Sequence, residues 1–375
     1  MPRTAVPTTS TPADRPGPTA MMDSGSGGSV QHRARGVLPG LLLSLTVGAA
    51  TVALSRLVPA ASPALVAILL GAALANSPLA HPALQPGLDV AARTVLRAGI
   101  VLLGLQLALG DVLALGPVVI AAIVTVVAVG VGSGLLIGRL LRLPADLTVL
   151  ISCGFSICGA AAVAGISGVL AGAHRDRDPE RAAQHETRTA TAVALVVLFG
   201  TLMIPLMPVL AHLLDLPQQT AGIWTGLSVL EVAQVVAVGS LIGDPALSAA
   251  VVVKLGRVLM LAPVAAVVTL CLRRAAAESV EGDDGVGAAG VPLIPGFILG
   301  FLVAVAVRST GILPEPVLGL AQPAQALLLA AAMFALGTGV RIFLLRRVGG
   351  RPVVLAALVL VVVTGAGLAG ALLAA

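Results

Sequence analysis

The chain has 375 residues, of which 58% are hydrophobic and 10% are charged. An average soluble domain carries about 25% charged residues, so this composition excludes an ordinary soluble enzyme, a disordered protein and a nucleic-acid-binding protein. A mean hydropathy of +1.06 predicts an all-α polytopic membrane protein, and the net charge of +5 is typical of arginines in cytoplasmic loops.

Residues 1–35 are rich in Pro, Thr, Ser, Gly and Arg and predict a disordered cytoplasmic tail. Residues 36–375 predict the transmembrane domain, because a bilayer core of about 30 Å needs about 20 apolar residues per helix. Continuous rather than alternating apolar runs favour helices over β-strands. The predicted spans number eleven, or ten if the first is peripheral: 37–57, 62–79, 94–112, 117–138, 147–172, 189–212, 221–243, 247–271, 291–307, 320–344 and 352–373.

The distribution of arginines favours a cytoplasmic N-terminus. Eleven arginines then fall inside, in the tail and in the loops near residues 139–142, 273–274 and 346–351. One loop conflicts with this orientation, because eleven alternating crossings place its arginines outside: Arg175, Arg177, Arg181 and Arg188.

The segment LISCGFSICGAAAVAG at 150–165 interrupts an apolar span with small and polar residues. Glycine costs about 1 kcal/mol in a helix interior relative to alanine, so the segment predicts a broken helix. The N-terminus of a half-helix binds anions, and serine hydroxyls add donors. The alternative is close helix packing through small residues. The candidate residues are Ser152, Gly154, Ser156, Cys158 and Gly159.

The segment TGLSVLEVAQVVAVG at 225–239 places Ser228, Glu231 and Gln234 on one helix face. An acid within a span costs at least about 2.5–3.5 kcal/mol on insertion scales, so it faces a partner or a wet cavity. Glu231 therefore predicts a proton relay or a cation ligand, with a structural ion pair as the alternative.

The segment VVVKLGRVLMLAP at 251–263 places Lys254 and Arg257 on one face. With a turn near residue 245, Arg257 and Glu231 differ in depth by only about 3 Å. A Glu–Arg–Lys cluster with excess positive charge suits an anionic substrate. The alternative is a cluster that only holds two helices together.

Two further places are weaker candidates. Gly337, Thr338 and Gly339 predict a break in the tenth span, and the following Arg341 can equally extend to the cytoplasmic face. The third span carries Arg93, Arg97 and Gln106.

Two internal matches point to different repeats. VLRAGIVLL (95–103) resembles the region of VKLGRVLM (253–260), which pairs Arg97 with Lys254 at an offset of five spans. An odd offset gives an inverted repeat. The competing match pairs residues 116–130 with 351–365.

Three segments together carry a family resemblance: SICG at 156–159, LEVAQVVAVG at 230–239 and VKLGRVLMLAP at 253–263. They resemble the YeiH-type family of bacterial inner-membrane proteins, which is labelled as sulfate exporters, over residues 37–375. Two departures stand out, because Leu230 replaces a family histidine and Ala161 replaces a frequent serine.

The family is similar in fold to bile-acid symporters and sodium/proton antiporters. The resemblance therefore implies two inverted five-helix repeats with broken crossing helices, for which the fifth and tenth spans are the candidates. Loss of the histidine at Leu230 weakens the expectation of proton coupling at that position.

These patterns predict a secondary transporter of a small anion, such as sulfate or another sulfur-containing or organic anion, in the bacterial plasma membrane. The broken helices, Lys254 and Arg257 are expected to bind the anion, and Glu231 to couple transport to H⁺ or Na⁺. The alternatives are a cation/proton antiporter with its site at Glu231 and a non-transporting receptor or scaffold. No metal, no other cofactor, no nucleic acid and no enzymatic activity are expected. The expected partners are the lipid bilayer and the solute, and a homo-oligomer is compatible with the sequence.

Overall fold

The computed structural model describes residues 26–57, 63–78, 80–173, 179–278, 296–339 and 349–375, and every regular element in these ranges is helical. Six of these helices are long and apolar enough to cross a bilayer. This confirms an all-α polytopic membrane protein. The helices are α1 (Ser26–Leu57), α2 (Pro63–Ala75), α3 (Gln85–Val90), α4 (Leu96–Gly104), α5 (Leu109–Ala114), α6 (Gly116–Leu140), α7 (Ala145–Ser156), α8 (Ala160–Ala173), α9 (Pro179–Leu213), α10 (Gln218–Ser228), α11 (Val232–Ile242), α12 (Asp244–Leu259), α13 (Leu261–Glu278), α14 (Gly296–Ser309), α15 (Glu315–Gly337) and α16 (Gly350–Leu373).

Two helices begin earlier than the spans predicted for them at 37–57 and 94–112, namely α1 and the helix formed by α3 and α4. Residues 1–25 of the predicted tail lie outside the described residues, and α1 begins at Ser26, so the helix starts within the stretch assigned to the tail. A π-helical turn, Ala91–Val95, joins α3 and α4 into one helix. Such turns often occur at functional sites.

Helices α7 and α8 form a re-entrant hairpin instead of one crossing. A Cβ atom placed on Gly154 would lie 2.6 Å from Cγ2 of Val163, whereas nine residues of straight helix would separate these positions by about 13 Å. Arg188, early in α9, donates to Asp146 at the start of α7 over 2.9 Å. The segment 147–172, predicted to be a span, therefore enters and leaves on the same membrane face.

Helices α10 and α11 form a second re-entrant hairpin. A Cβ atom on Gly243, directly after α11, would lie 2.6 Å from Oε1 of Gln218, the first residue of α10. A continuous helix would place these residues about 37 Å apart. The four hairpin arms contain 11 to 14 residues, which is too short to cross a core of about 30 Å.

The two hairpins enter from opposite faces, because the 35-residue helix α9 connects them. Their tips meet beside the middle of α9. A Cβ atom on Gly159, in the tip of hairpin 1 (α7–α8), would lie 3.2 Å from Val196, and Gly200 lies against Gln234 of hairpin 2 (α10–α11). We call the face at which hairpin 1 enters the near face and the other the far face.

Re-entry of hairpin 1 removes the conflict in the arginine distribution. The end of α6, the end of α8 and the start of α9 now share the near face. Helix α12 runs parallel to α10, since Gly222 lies against Ala246 and Gly226 against Ala250, so α13 returns the chain to the near face at Arg273 and Arg274. The arginine-rich connections lie together there, and the positive-inside rule assigns the near face to the cytoplasm.

The helices pack as two groups. The inner group contains α6, both hairpins, α9, α12 and α16, and the outer group contains α1 to α4, α14 and α15. Small residues bring helices of the outer group close together, as in membrane proteins generally. A Cβ atom on Gly87 would lie 2.6 Å from Cα of Gly40, and one on Gly71 would lie 3.0 Å from Cα of Gly337.

Candidate functional site at the hairpin tips

Four helix ends meet where the two hairpins touch. Helices α7 and α10 end at Ser156 and Ser228, and α8 and α11 each begin four residues later. Helix C-termini present unpaired carbonyls with partial negative charge, and N-termini present unpaired amides with partial positive charge. No water is available in the bilayer core to satisfy these groups, so side chains must do so.

Lys254 satisfies carbonyls of both hairpins at once. Its Nζ donates to the carbonyl oxygen of Ile157 in hairpin 1 and to that of Val229 in hairpin 2, each over 2.8 Å. The side chain is fully buried in α12, and it is the single lysine of the sequence. The ammonium group therefore joins the two tips.

Arg257, one turn further along α12, binds the same two helix ends. Its Nη1 donates to the carbonyls of Leu227 and Gly226, and its Nη2 donates to the carbonyl of Phe155 over 3.3 Å. The side chain has no exposed surface. Two buried cations thus face the C-terminal ends of α7 and α10.

Glu231 faces the two N-terminal ends. It is the N-cap of α11 in a capping box. Its carboxylate accepts a hydrogen bond from the backbone N–H of Gln234, and Oε1 of the Gln234 side chain accepts one from the backbone N–H of Glu231 over 3.2 Å. Its Oε1 also accepts from the amide of Ala160, the first residue of α8, over 3.4 Å. The residue before α8 is Gly159, which has no side chain to act as a cap, so one carboxylate serves both helices.

The tips therefore separate charges by sign. The acid faces helix N-termini and the bases face helix C-termini, as the helix dipole favours. Glu231, Lys254 and Arg257 do lie together, as their predicted depths required, but within the described chain no ion pair joins them. Glu231 keeps 8% of its surface exposed, whereas Lys254 and Arg257 keep none.

The anion-binding role of Lys254 and Arg257 stays a prediction, and their hydrogen bonds favour its alternative. Both Lys254 hydrogen bonds go to backbone carbonyls, and both terminal nitrogens of Arg257 do the same. An anion would have to displace these carbonyls in a buried position. The geometry instead supports the alternative in which the charges hold helices together.

The serines of the predicted site pack against glycines of neighbouring helices. Ser152 and Ser156 of α7 contact Gly134 and Gly130 of α6, and Ser228 of α10 contacts Gly367 of α16. Ser152 Oγ donates to the carbonyl of Thr148 over 2.7 Å. These contacts match the alternative of close packing through small residues.

The remaining predicted residues divide between the tips and a cavity. Cys158 lies in the turn of hairpin 1 with 5% of its surface exposed. Helix α15 ends at Gly337, and Thr338 and Gly339 form the turn that follows, at the place where the sequence predicts a break, while residues 340–344 of the tenth predicted span lie outside the described residues. The seventh predicted span, which the sequence treated as one crossing, is also broken. Arg341 lies outside the described residues.

A cavity of about 640 Å³ lies at the near face between the two groups. We call it the interface cavity. Arg97, Thr338 and Gly339 line it, although the sequence placed Arg97 among the weaker candidates. Other lining residues were missed by sequence analysis, including Asp89, Asp146, Ser167, His185, Arg188 and Phe297. Gln106 lies elsewhere, where it donates to Gln325 over 2.6 Å.

A repeated sequence could have revealed the hairpins. LIGRLLRLP (136–144) precedes hairpin 1, and VLAHLLDLP (209–217) precedes hairpin 2. Arg142 and Asp215 occupy equivalent positions and both have positive φ, 54° and 49°. The following tips also align, as GFSICG with GLSVLE, which makes Gly159 the counterpart of Glu231.

The two earlier repeat matches differ in where the structure places their paired segments. Arg97 lies in the outer group and Lys254 in the inner group, so the structure gives them unlike surroundings. The segments 116–130 and 351–365 belong to α6 and α16, which pack against each other. The five-helix inverted repeats and the similarity to bile-acid symporters stay predictions.

Sequence comparison places this architecture in a family. The Conserved hypothetical protein 698 family matches residues 39–356. The chain belongs to this family. A UPF0324 membrane protein of Corynebacterium glutamicum is 45% identical over 335 residues, covering 89% of this chain and 92% of that protein. One of Brucella melitensis is 34% identical over 335 residues, covering 88% of each.

Another UPF0324 membrane protein, from Bacteroides thetaiotaomicron, is 34% identical over 304 residues, covering 80% of this chain and 86% of that protein. No solved structure matches this chain. These similarities confirm the family membership that the SICG, EVAQVV and KLGRVLMLAP segments indicated. They also confirm a multi-pass membrane protein, since UPF0324 relatives are named as membrane proteins.

Proposed function

We propose that this UPF0324 protein is a secondary transporter that moves a small anion across the bacterial plasma membrane, coupled to H⁺ or Na⁺ at Glu231. One observation carries the proposal: two re-entrant hairpins enter from opposite faces and meet at mid-depth around a buried carboxylate. Transporter sites lie near the bilayer midplane on discontinuous helices, whose ends coordinate charged groups. A receptor or scaffold has no comparable need for a bilayer core built from half-helices.

Coupling follows from the position of Glu231. Its carboxylate bridges the first turns of α8 and α11, so adding a proton or a cation changes the charge that both helix ends experience. A change in that contact alters how the hairpins sit against each other. The two packed groups then provide the parts that move, with the inner group shifting against the outer one.

A cation/proton antiporter is the second candidate, and one observation favours it. Glu231 is the only member of the Glu–Lys–Arg cluster with exposed surface, while both cations already bind carbonyls. In such a protein the transported ion is the cation itself, and no anion is needed.

Proton movement in proteoliposomes separates these functions. Purified full-length protein is reconstituted with an internal pH dye or an internal Na⁺ dye and exposed to sulfate, sulfite, thiosulfate, taurine and small carboxylates, with and without Na⁺. An anion-dependent change in internal pH or internal Na⁺ that Glu231→Gln abolishes supports the proposal, and Glu315→Gln, at an exposed acid of α15, is the matched control. Na⁺-driven pH change without any anion supports the antiporter. No flux under any condition refutes both.

A further inference from the structure

The interface cavity has the position expected of a substrate site. It lies at the near face between α3–α4 of the outer group and α8–α9 of the inner group, and the end of α15 closes one side. A solute in this cavity touches both groups. Relative motion of the groups would therefore change the surroundings of the solute, and Lys254 and Arg257 do not contribute to this cavity.

Arg97 is an unpaired cation in the inner part of the cavity wall. Its guanidinium lies 5.7 Å from the ring centroid of Phe297, a distance at which the cation and the ring attract each other. Within the described chain no hydrogen-bond acceptor or carboxylate pairs with it. Arg188, which lines the same cavity, is instead paired with Asp146 over 2.9 Å.

The carboxylates and the other arginines of the lining lie closer to the near face, whereas the His185 ring hydrogen-bonds Ser167, next to Gly168, over 2.9 Å. On the helix that contains Arg97, Arg93 comes one turn earlier and Asp89 two turns earlier, which at 1.5 Å per residue is about 6 and 12 Å. Glu186 and His185 come from the first turns of α9. The inner end of the cavity thus combines one unpaired cation with apolar side chains, among them Leu96, Ile100 and Phe297.

The size of the cavity indicates the kind of anion. Pockets for organic ligands measure about 300–1,000 Å³, and the interface cavity of about 640 Å³ falls within this range, with apolar side chains forming part of its wall and polar or charged residues the rest. An inorganic oxyanion would leave most of the space and the apolar wall without contacts. We infer that the interface cavity binds an organic anion, a sulfonate or carboxylate with an apolar body, whose charged group pairs with Arg97.

Gly168 of α8 gives this site its shape on the inner-group side. A Cβ atom placed there would meet Nη2 of Arg97 at 3.2 Å and no other atom within 4 Å. A side chain at residue 168 would therefore begin in the space beside the guanidinium, and its first atom would meet Arg97 alone. Gly168 is therefore a second position at which a substitution should affect ligand binding beside Arg97.

Binding of benzenesulfonate to the purified full-length protein tests the inference, by thermal shift and by equilibrium titration. Benzenesulfonate should bind at least tenfold more tightly than sulfate and than neutral benzenesulfonamide. Arg97→Ala and Gly168→Leu should each weaken binding at least tenfold, and Arg139→Ala, at an exposed arginine of the same face outside the cavity, should not change it. Unchanged binding in Arg97→Ala and Gly168→Leu, or sulfate binding as tightly as benzenesulfonate, overturns the inference.

The transport role of this site rests on the proposed function, and flux measurements keep the two apart. If benzenesulfonate binds through Arg97 but no anion crosses proteoliposomes, the site stands and the transporter proposal fails. If anions cross at rates that Arg97→Ala and Gly168→Leu leave unchanged, the transporter stands and the inferred site fails.

Discussion

Replacing Lys254 with methionine should open the hairpin tips. Methionine keeps most of the length of the side chain but removes the ammonium that donates to Ile157 and Val229 over 2.8 Å. A hydrogen bond to a charged group contributes about 1.5–3 kcal/mol, so losing two should cost about 3–6 kcal/mol. Arg257 cannot substitute, because none of its hydrogen bonds reaches the carbonyl of Ile157.

Thiol labelling measures this opening directly. Cys158 lies in the turn of hairpin 1, and Cys271 is the exposed cysteine that would mask its signal, so the assay uses a Cys271→Ser background. Since about 1.4 kcal/mol corresponds to a factor of ten, Lys254→Met should raise the labelling rate of Cys158 by at least about a hundredfold. Lys254→Arg, which keeps a cation with several donors, should raise it far less.

A labelling rate within threefold of the parent protein would refute this account of Lys254. In that case the carbonyls would be satisfied by other groups. The same protein also distinguishes the roles assigned to Lys254, because anion binding that disappears while Cys158 stays protected would restore the anion-binding prediction.

Three further outcomes are expected. Gly159→Ala should lower the thermal midpoint, because φ at this residue is +71° and the added Cβ would lie 2.6 Å from Cγ of Glu231. The left-handed backbone alone costs about 1–2 kcal/mol in a residue with a side chain. The control Gly132→Ala, in open space within α6, should raise the midpoint slightly. Glu231→Gln should keep the fold, since its amide oxygen still accepts from Ala160, and Glu231→Leu should lower the midpoint; equal midpoints for both variants would contradict the capping role. Impermeant thiol reagents should label Arg142→Cys and Glu186→Cys from one membrane face and Asp244→Cys from the other. Single crossings would instead put Glu186→Cys on the same face as Asp244→Cys and opposite to Arg142→Cys.

Composition predicted the helical membrane fold but not the hairpins, and the reason is length. Two arms of 11 to 14 residues plus a tip form an apolar segment as long as one transmembrane helix. Hydropathy cannot tell these two paths apart. The arginines at 175–188 did indicate the re-entrant path. The positive-inside rule puts them on the same face as Arg142, and this requires an even number of crossings, here none, between the two places.

The charged residues of the tips were found from sequence, but their hydrogen-bond partners were not. An intramembrane Glu, Lys or Arg is visible as an expensive residue in an apolar span. Its partners here are backbone carbonyls and amides, such as those of Ile157 and Ala160, and backbone groups have no sequence signature. The interface cavity was missed for a related reason, since its wall combines residues from α3–α4, α7, α8, α9, α14 and α15.

The one-sided distribution of arginine also constrains any assembly of this protein. With the arginine-rich connections on the near face, every copy inserts in the same orientation. Two copies in one membrane therefore cannot be related by a two-fold axis in the membrane plane. A closed homo-oligomer would have to be parallel, with its symmetry axis along the membrane normal.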